Sequence, residues 1–230
     1  KLYGAAGQGG THGDGWAPAR MRALGIAYIS SEHDAAQGLH PNLKVEEVIA
    51  QHMQLPPKAR DIRRREVLSA LRASGFQMFD GSGVPIGSAE EYLARGITIG
   101  ELSGGQKHLI YILSVIASRP SLLICDEMLC GLDIDRQVSV LNMLQGLQVR
   151  FGMAILFMSV DLSSVAILAQ HAAFMRKGKF LESGLAHEVL EAPRNREARA
   201  YTEQSRELID RSRGKNLLNA YTTGESVFNL

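Results

Sequence analysis

Two short motifs, close together in the chain, constrain its fold more than any other feature. Residues Leu102–Gln106 have the sequence LSGGQ, and residues Leu122–Glu127 have the sequence LLICDE. At average residue usage, the pentapeptide is expected by chance in only about one of several thousand chains of this length. The apolar run 108–117 predicts a buried helix that ends before Pro120. The apolar run that follows predicts a fully buried parallel strand, which points to an α/β fold.

The residue types in both motifs suit phosphate chemistry. Ser103 offers a hydroxyl, and Gly104 and Gly105 offer unobstructed backbone N–H groups at the expected start of a helix, where the dipole favours anions. Asp126 and Glu127 follow the predicted strand at its carboxyl end, where ligand sites of open α/β sheets lie. Either motif alone would also fit an ordinary helix start or a solvated strand end. Together they predict a nucleotide site.

The two motifs resemble those of the ATPase domain of ABC (ATP-binding cassette) proteins, in which LSGGQ is the signature motif and an apolar strand ending in DE is Walker B. The resemblance implies a P-loop NTPase-like α/β core with a mostly parallel sheet and an ABC-type helical subdomain. It implies ATP and Mg²⁺ as cofactors. Asp126 would hold Mg²⁺ through water, and Glu127 would be the catalytic residue that positions or deprotonates the attacking water. The family's nucleotide-contacting positions would be Ser103, Gly104, Gly105, Gln106 and the D-loop residue Asp133.

The glycine-rich start of the chain supports two interpretations. Residues 4–11 fit G-x-x-x-x-G-K-[ST] at every fixed position except the lysine, which is Gly10. Gly4, Gly9 and Thr11 would then bind phosphate, but without the charge that the lysine supplies. The alternative is a flexible glycine-rich segment at a truncated or divergent start.

Two further family positions carry unusual residues. Ser31 and Glu32 lie where the family's Q-loop glutamine touches the metal, so either could be a weak Mg²⁺ ligand, or the segment could be a simple polar turn. Val160, in Ser159-Val160-Asp161-Leu162, lies where the family has its switch histidine. An apolar side chain cannot hydrogen-bond a γ-phosphate.

The resemblance implies the domain organisation. We expect one ABC-type ATPase domain over 1–205, with a helical subdomain over about 42–118 inserted in the α/β core and an incomplete N-terminal lobe, and a polar C-terminal extension over 206–230. Within the domain, residues 25–29 are expected to form a strand, and 153–158 another buried strand. Asn42 is expected to cap a helix, and the apolar residues between 138 and 147 to form a helical stripe. Residues 172–184 predict a hairpin that turns at Lys177-Gly178. The segment from Ala192 onward, including Pro193-Arg194-Asn195, most resembles oligopeptide and dipeptide importer ATPases within the family.

Composition excludes several classes of protein. A hydrophobic content of 45% in 230 residues excludes a disordered chain, and a formal charge of +1 gives no general attraction to nucleic acid. Cys125 and Cys130 are expected to be reduced, packed residues rather than metal ligands. No apolar stretch is long enough to span a membrane. The resemblance therefore implies a cytoplasmic protein, peripheral on the inner face of a membrane, that binds transmembrane transporter subunits and a second ABC ATPase domain.

Two functions remain open at this point. The first is an ATP-hydrolysing subunit or domain of an ABC-type transporter, impaired to some degree by Gly10 and Val160. The second is a degenerate ABC-like domain that completes a partner's ATP site or acts as a non-hydrolytic regulatory or scaffold module. A chain that lacks its true P-loop through truncation would leave only Val160 to explain.

Overall fold

A computed structural model describes residues 23–30, 38–53, 59–75, 77–80 and 82–211, with side chains up to residue 206. The described residues form two compact units, one with residues up to Cys130 together with Asn142–Met158, the other with Gly131–Leu141 and the residues from Ser159 onward. The elements are β1 (Ile26–Ser30), α1 (Val45–Ala50), α2 (Arg60–Ala73), α3 (Ala89–Arg95), a 3₁₀ turn (Ile99–Glu101), α4 (Gly104–Ile116), β2 (Leu122–Asp126), α5 (Ile134–Phe151), β3 (Ala154–Met158), α6 (Leu162–Leu168), β4 (His171–Arg176), β5 (Lys179–Leu185), α7 (Ala186–Glu191) and α8 (Arg196–Arg211).

The first unit contains a parallel sheet in the order β1-β2-β3. Asp126, at the carboxyl end of the central strand, pairs in register with Ser30 on one side and Met158 on the other. Leu123 and Cys125 of β2 are fully buried. The predicted strands and their parallel arrangement are therefore confirmed, and they bring three strand ends to one edge of the sheet.

Strand β3 differs from its prediction. It forms where expected, but its residues alternate in exposure, with Leu156 50% and Met158 39% exposed. Within the described ranges β3 pairs only with β2, so it is an edge strand whose outer side has no partner strand. The prediction of a buried strand at 153–158 was wrong in burial because sequence pattern cannot tell a central strand from an edge strand.

The helices α1 to α4 lie between β1 and β2 along the chain. Helix α1 does not begin at Asn42, as predicted, but after Lys44, whose backbone N–H donates to the Glu47 carboxylate at 2.8 Å. Lys44 itself is extended, with φ −73° and ψ 147°, because it bridges to Thr98, and the N–H of Val45 donates to the Ile97 carbonyl. The division into a helical subdomain and a core stays a prediction.

Two long helices carry many of the buried apolar side chains. In α4, Ile110, Ile112 and Ile116 have no exposed surface. In α5 the predicted apolar stripe is confirmed, since each of its members is at most 2% exposed: Val138, Val140, Leu141, Met143, Leu144 and Leu147. Burial of apolar surface on this scale is the main contribution to folding.

The cysteines divide between core and surface. Cys125 is buried in β2, and burial raises the pKa of its thiol to about 12, so it stays protonated as a small apolar residue. Cys130 is exposed, which corrects the expectation that both cysteines are packed. It lies in the turn after β2, where the chain leaves the sheet.

The second unit contains the predicted hairpin. Strands β4 and β5 are antiparallel, with a register shift at Phe174/Met175, and they turn at Lys177 and Gly178. Both turn residues have positive φ, 49° and 75°, as a tight two-residue hairpin turn requires. None of the described helices has the length and apolar character needed to cross a lipid bilayer. The extension predicted from residue 206 stays a prediction, although α8 continues to Arg211.

Candidate functional site

The signature motif forms the N-terminus of α4. Ser103 is the N-cap, and its side-chain oxygen accepts from the Gln106 N–H at 3.3 Å. The Gln106 side-chain oxygen accepts in return from the Ser103 N–H at 2.8 Å. This reciprocal capping box satisfies two backbone donors, so the serine and glutamine of the motif already have a structural role.

Gly104 and Gly105 present the remaining N–H groups of this first turn. Helix geometry gives neither group a carbonyl within α4, and within the described ranges neither donates to another residue. A Cβ atom built on Gly104 would meet no heavy atom within 4 Å. Packing inside the chain therefore does not require glycine at this position, which fits close approach by an external group.

The chain just before the motif is held by several hydrogen bonds. Glu101 accepts from both the N–H and the hydroxyl of Thr98 at 2.7 Å, and these bonds lower the pKa of its carboxyl. The N–H of Gly100 donates to the carbonyl of Pro41 at 2.8 Å. These contacts fix the position at which α4 begins.

Asp126 is half-buried at the carboxyl end of β2, and its partner is Tyr28 of β1. The Tyr28 hydroxyl donates to Asp126 Oδ2 at 2.9 Å. Tyr28 pairs in register with Ile124, so a diagonal across the two strands brings its side chain to Asp126 on the same face. Sequence reasoning missed Tyr28, since only the strand register makes it a neighbour of a residue so distant in the chain.

Glu127 begins a tight turn directly after β2. Its φ is 49°, in the left-handed region that a glutamate rarely adopts. Its N–H donates to the Met158 carbonyl at 2.9 Å, and its own carbonyl accepts from the Cys130 N–H at 3.0 Å. The side chain of the next residue, Met128, is fully buried. The candidate base therefore lies on a strained backbone that its surroundings hold in place.

The structure does not join the two motifs directly. Among the described residues, no hydrogen bond or ion pair connects Ser103 or Gln106 with Asp126 or Glu127. A contact does run from one helical turn further along α4, where His108 Nε2 lies 3.3 Å from the Met128 carbonyl oxygen. The two motifs therefore present separate surfaces of one unit.

Two other predicted positions lie in the second unit. Asp133 caps α5, since its Oδ1 accepts from the Arg136 N–H at 3.0 Å. The Val160 side chain is 69% exposed, and its carbonyl accepts from the Tyr201 hydroxyl at 2.6 Å. Asp161 caps α6 by accepting from the N–H groups of Ser163 and Ser164. Sequence reasoning missed the hydrogen bond from Tyr201 to the Val160 carbonyl.

The remaining candidates are the residues of the predicted phosphate loop and of the predicted metal-touching loop. Gly4, Gly9, Gly10 and Thr11 lie outside the described residues, and so do Ser31 and Glu32. Their assignment to a phosphate loop and a metal-touching loop stays a prediction.

The residues at the end of β2 fit an indirect magnesium site. The Tyr28 hydroxyl donates to Oδ2 of Asp126, whereas within the described ranges no residue donates to Oδ1. Mg²⁺ commonly keeps several waters and uses one or two protein carboxylates together with phosphate oxygens. The described residues contain no cluster of three or more histidine, cysteine or acidic side chains that could hold an ion by itself. A single carboxylate is compatible with a water-mediated ion that nucleotide phosphates also bind.

The chain has clear sequence relatives among curated proteins. It is 35% identical over 162 residues to the oligopeptide transport ATP-binding protein OppD of Mycobacterium tuberculosis, covering 70% of this chain and 24% of the relative. It is 39% identical over 102 residues to the peptidoglycan transport ATP-binding protein YejF of Agrobacterium fabrum, covering 44% of this chain and 18% of the relative. The chain thus spans about a quarter or less of the length of these relatives. No protein-family model matches it.

The fold also matches a solved structure. CbiO1 of Clostridium perfringens, described as part of the ABC transporter complex cbiONQ, aligns with a TM-score of 0.59 and 23% identity over 84% of this chain and 70% of that chain. This likeness confirms the predicted P-loop NTPase-like core. The predicted resemblance to oligopeptide importer ATPases agrees with the similarity to OppD. By sequence similarity and by fold, the chain belongs to the ATP-binding domains of ABC transporters.

Proposed function

We propose that this chain binds and hydrolyses ATP as part of an ABC-type transporter and couples hydrolysis to transport. The observation that carries the proposal is the end of β2, where Asp126 is held by Tyr28 and Glu127 follows on a constrained turn. A carboxylate pair at the carboxyl end of a central parallel strand is suited to hold a metal through water and to activate a nucleophile.

In this proposal each residue has one task. Mg²⁺, when bound with nucleotide, supplies positive charge to the phosphates. Asp126 would hold such an ion through water, while Tyr28 orients the carboxylate by donating to Oδ2. Glu127 accepts a proton from the attacking water or orients it. The left-handed backbone at Glu127 limits the directions in which its side chain can leave the turn.

The signature motif acts on a second ATP-binding domain. Gly104 has open space around it, and its N–H lies at the positive end of a 13-residue helix. A phosphate of ATP held by a partner domain is the anion that this surface would bind. Asp133 would face the same partner.

The chain then lies at the inner face of a membrane through transmembrane transporter subunits. The names of its relatives support peptides as the transported class.

The experiment is an ATPase assay of the purified chain, alone and mixed with an ABC ATP-binding domain that has a complete GxxxxGK[ST] loop and a switch histidine. We expect the mixture to turn over more ATP than the sum of the two proteins. Glu127→Gln in this chain should lower turnover, and Gly104→Trp should remove the gain from mixing. If the chain neither hydrolyses ATP nor binds a labelled ATP analogue at millimolar concentration, the alternative, a non-hydrolytic scaffold or regulatory module, is correct.

A further inference from the structure

We propose that His108 is a positioning residue that connects the signature helix to the turn carrying Glu127. His108 Nε2 lies 3.3 Å from the carbonyl oxygen of Met128, the residue directly after Glu127. A carbonyl oxygen can only accept, so Nε2 carries the proton. His108 is 5% exposed, and water therefore does not replace this bond readily.

The turn requires such a support because its backbone is strained. Glu127 has a φ of 49°, in the left-handed region that is unfavourable for a residue with a Cβ atom. The Glu127 N–H is held by the Met158 carbonyl on one side. On the other side His108 holds the Met128 carbonyl, which belongs to the peptide group between Met128 and Leu129. The two bonds together fix the peptide plane directly before Glu127 and the plane that follows Met128, so the turn is held on both sides of Glu127.

His108 belongs to the same rigid element as the signature motif. It lies on α4 between the cap at Ser103 and the buried residues Ile110 and Ile112. A displacement of the helix start would therefore move the imidazole and, through it, the Met128 carbonyl. The signature motif would bind a partner's nucleotide. The hydrogen bond of His108 would therefore transmit a displacement of α4 on nucleotide binding to the turn that carries this chain's own Glu127. This last step depends on the proposed function, whereas the contact itself does not.

The test is amide hydrogen exchange in the nucleotide-free chain. The reporters are the Glu127 amide, which donates to the Met158 carbonyl of β3, and the Cys130 amide, which donates to the Glu127 carbonyl within the turn. His108→Leu removes the donor while keeping an apolar side chain, and we expect exchange at both amides to rise about tenfold. His108→Gln places an amide N–H at a similar reach and should restore slow exchange. His108→Asn has the same chemistry with a shorter reach and should not restore it.

A control removes a different buried hydrogen bond from the same helix. The Ser114 hydroxyl donates to the Tyr111 carbonyl at 2.7 Å, so Ser114→Ala perturbs α4 without touching the turn. Exchange at Glu127 and Cys130 should stay unchanged in that variant. The proposal is overturned if His108→Leu leaves both amides unchanged, if it accelerates the β2 and α4 amides equally, or if His108→Gln behaves like His108→Asn.

An ATPase measurement then separates positioning from binding. In the mixture assay, His108→Leu should lower kcat and leave KM for ATP unchanged, and His108→Gln should recover kcat. Absence of ATP turnover in every variant would contradict the proposed function, whereas the exchange result would still decide the role of His108.

Discussion

The hydroxyl of Tyr28 donates a hydrogen bond of 2.9 Å to Oδ2 of Asp126, so a residue of β1 holds the aspartate at the end of β2. Both side chains are partly exposed and lie on the same face of the sheet. A hydrogen bond to a carboxylate selects one orientation of the group and leaves its other oxygen for an outside donor.

Tyr28→Phe should therefore weaken metal binding. Loss of a bond that orients a metal-binding carboxylate typically lowers affinity about tenfold or more. The measurement is an electron paramagnetic resonance titration with Mn²⁺ in the presence of ADP, with Asp126→Asn as the reference for a lost carboxylate. A Tyr28→Phe protein that binds Mn²⁺ as tightly as the wild type would show that the phenol does not contribute.

The sequence predicted this site in part. Apolar runs predicted β1 and β2 because a buried parallel strand excludes polar residues, and the position of Asp126 and Glu127 at a strand end followed from the length of the run. The contact with Tyr28 could not be predicted from local pattern, since it depends on the pairing of strands that are 98 residues apart at these positions. The positive φ of Glu127 had no sequence signal, because glutamate is not a residue that turns usually select.

Other errors have physical reasons as well. Asn42 is a good cap by residue type, yet the bridge between Lys44 and Thr98 delays the helix. Leu156 is apolar and was expected to be buried, but β3 has an open outer edge within the described ranges. In both cases a contact made by a distant segment, or the lack of one, outweighed local propensity.

Ser103 allows the structural and functional roles of the signature motif to be separated. Ser103→Ala removes the cap oxygen and should lower the free energy of unfolding by about 1 kcal/mol. Ser103→Asp keeps a good cap and should leave stability unchanged, but its negative charge should repel a partner's phosphate and reduce turnover in the mixture. Urea unfolding and the ATPase assay check the two effects. Equal loss of turnover and stability in both variants would mean that the serine acts only as a cap.

The backbone conformation of Glu127 should lower the free energy of unfolding, although its side chain is needed for ATP hydrolysis. Glu127→Gly relieves the left-handed strain and should raise the free energy of unfolding by about 1 kcal/mol relative to Glu127→Gln, which keeps it. Both variants should lose ATP hydrolysis. Urea unfolding of the two proteins makes the comparison, and a glycine variant less stable than the glutamine variant would rule out strain at this position.

Glu182 should contribute to the stability of the second unit in a pH-dependent way. Its carboxylate accepts from the N–H groups of Asn195 at 2.8 Å and Arg194 at 2.9 Å, and these bonds lower its pKa. A carboxyl whose pKa is lower in the folded state stabilises the fold above its ordinary pKa, and this contribution is lost as the pH falls through the folded value. Glu182→Gln should therefore flatten the decline in stability between about pH 5 and about pH 3.

Thermal unfolding at several pH values measures this effect. Glu203→Gln is the matched control and should keep the wild-type profile, because Glu203 is exposed and has no hydrogen-bond or ion-pair partner among the described residues. A Glu182→Gln protein with the wild-type pH profile would contradict the role of these backbone bonds.

Replacement of Val160 by histidine should increase the ATPase activity. Its loop is held independently of the side chain, because Tyr201 binds the Val160 carbonyl and the Asp161 N–H donates to the Ser159 hydroxyl at 3.1 Å. The side chain is 69% exposed, so a histidine fits without displacing neighbours. An imidazole can hydrogen-bond a γ-phosphate, which valine cannot do. Val160→His should therefore raise ATP turnover at least about tenfold. Val160→Phe, similar in ring size but without a donor, should show no gain, and equal turnover in the histidine and phenylalanine variants would mean that loss of the imidazole does not limit hydrolysis.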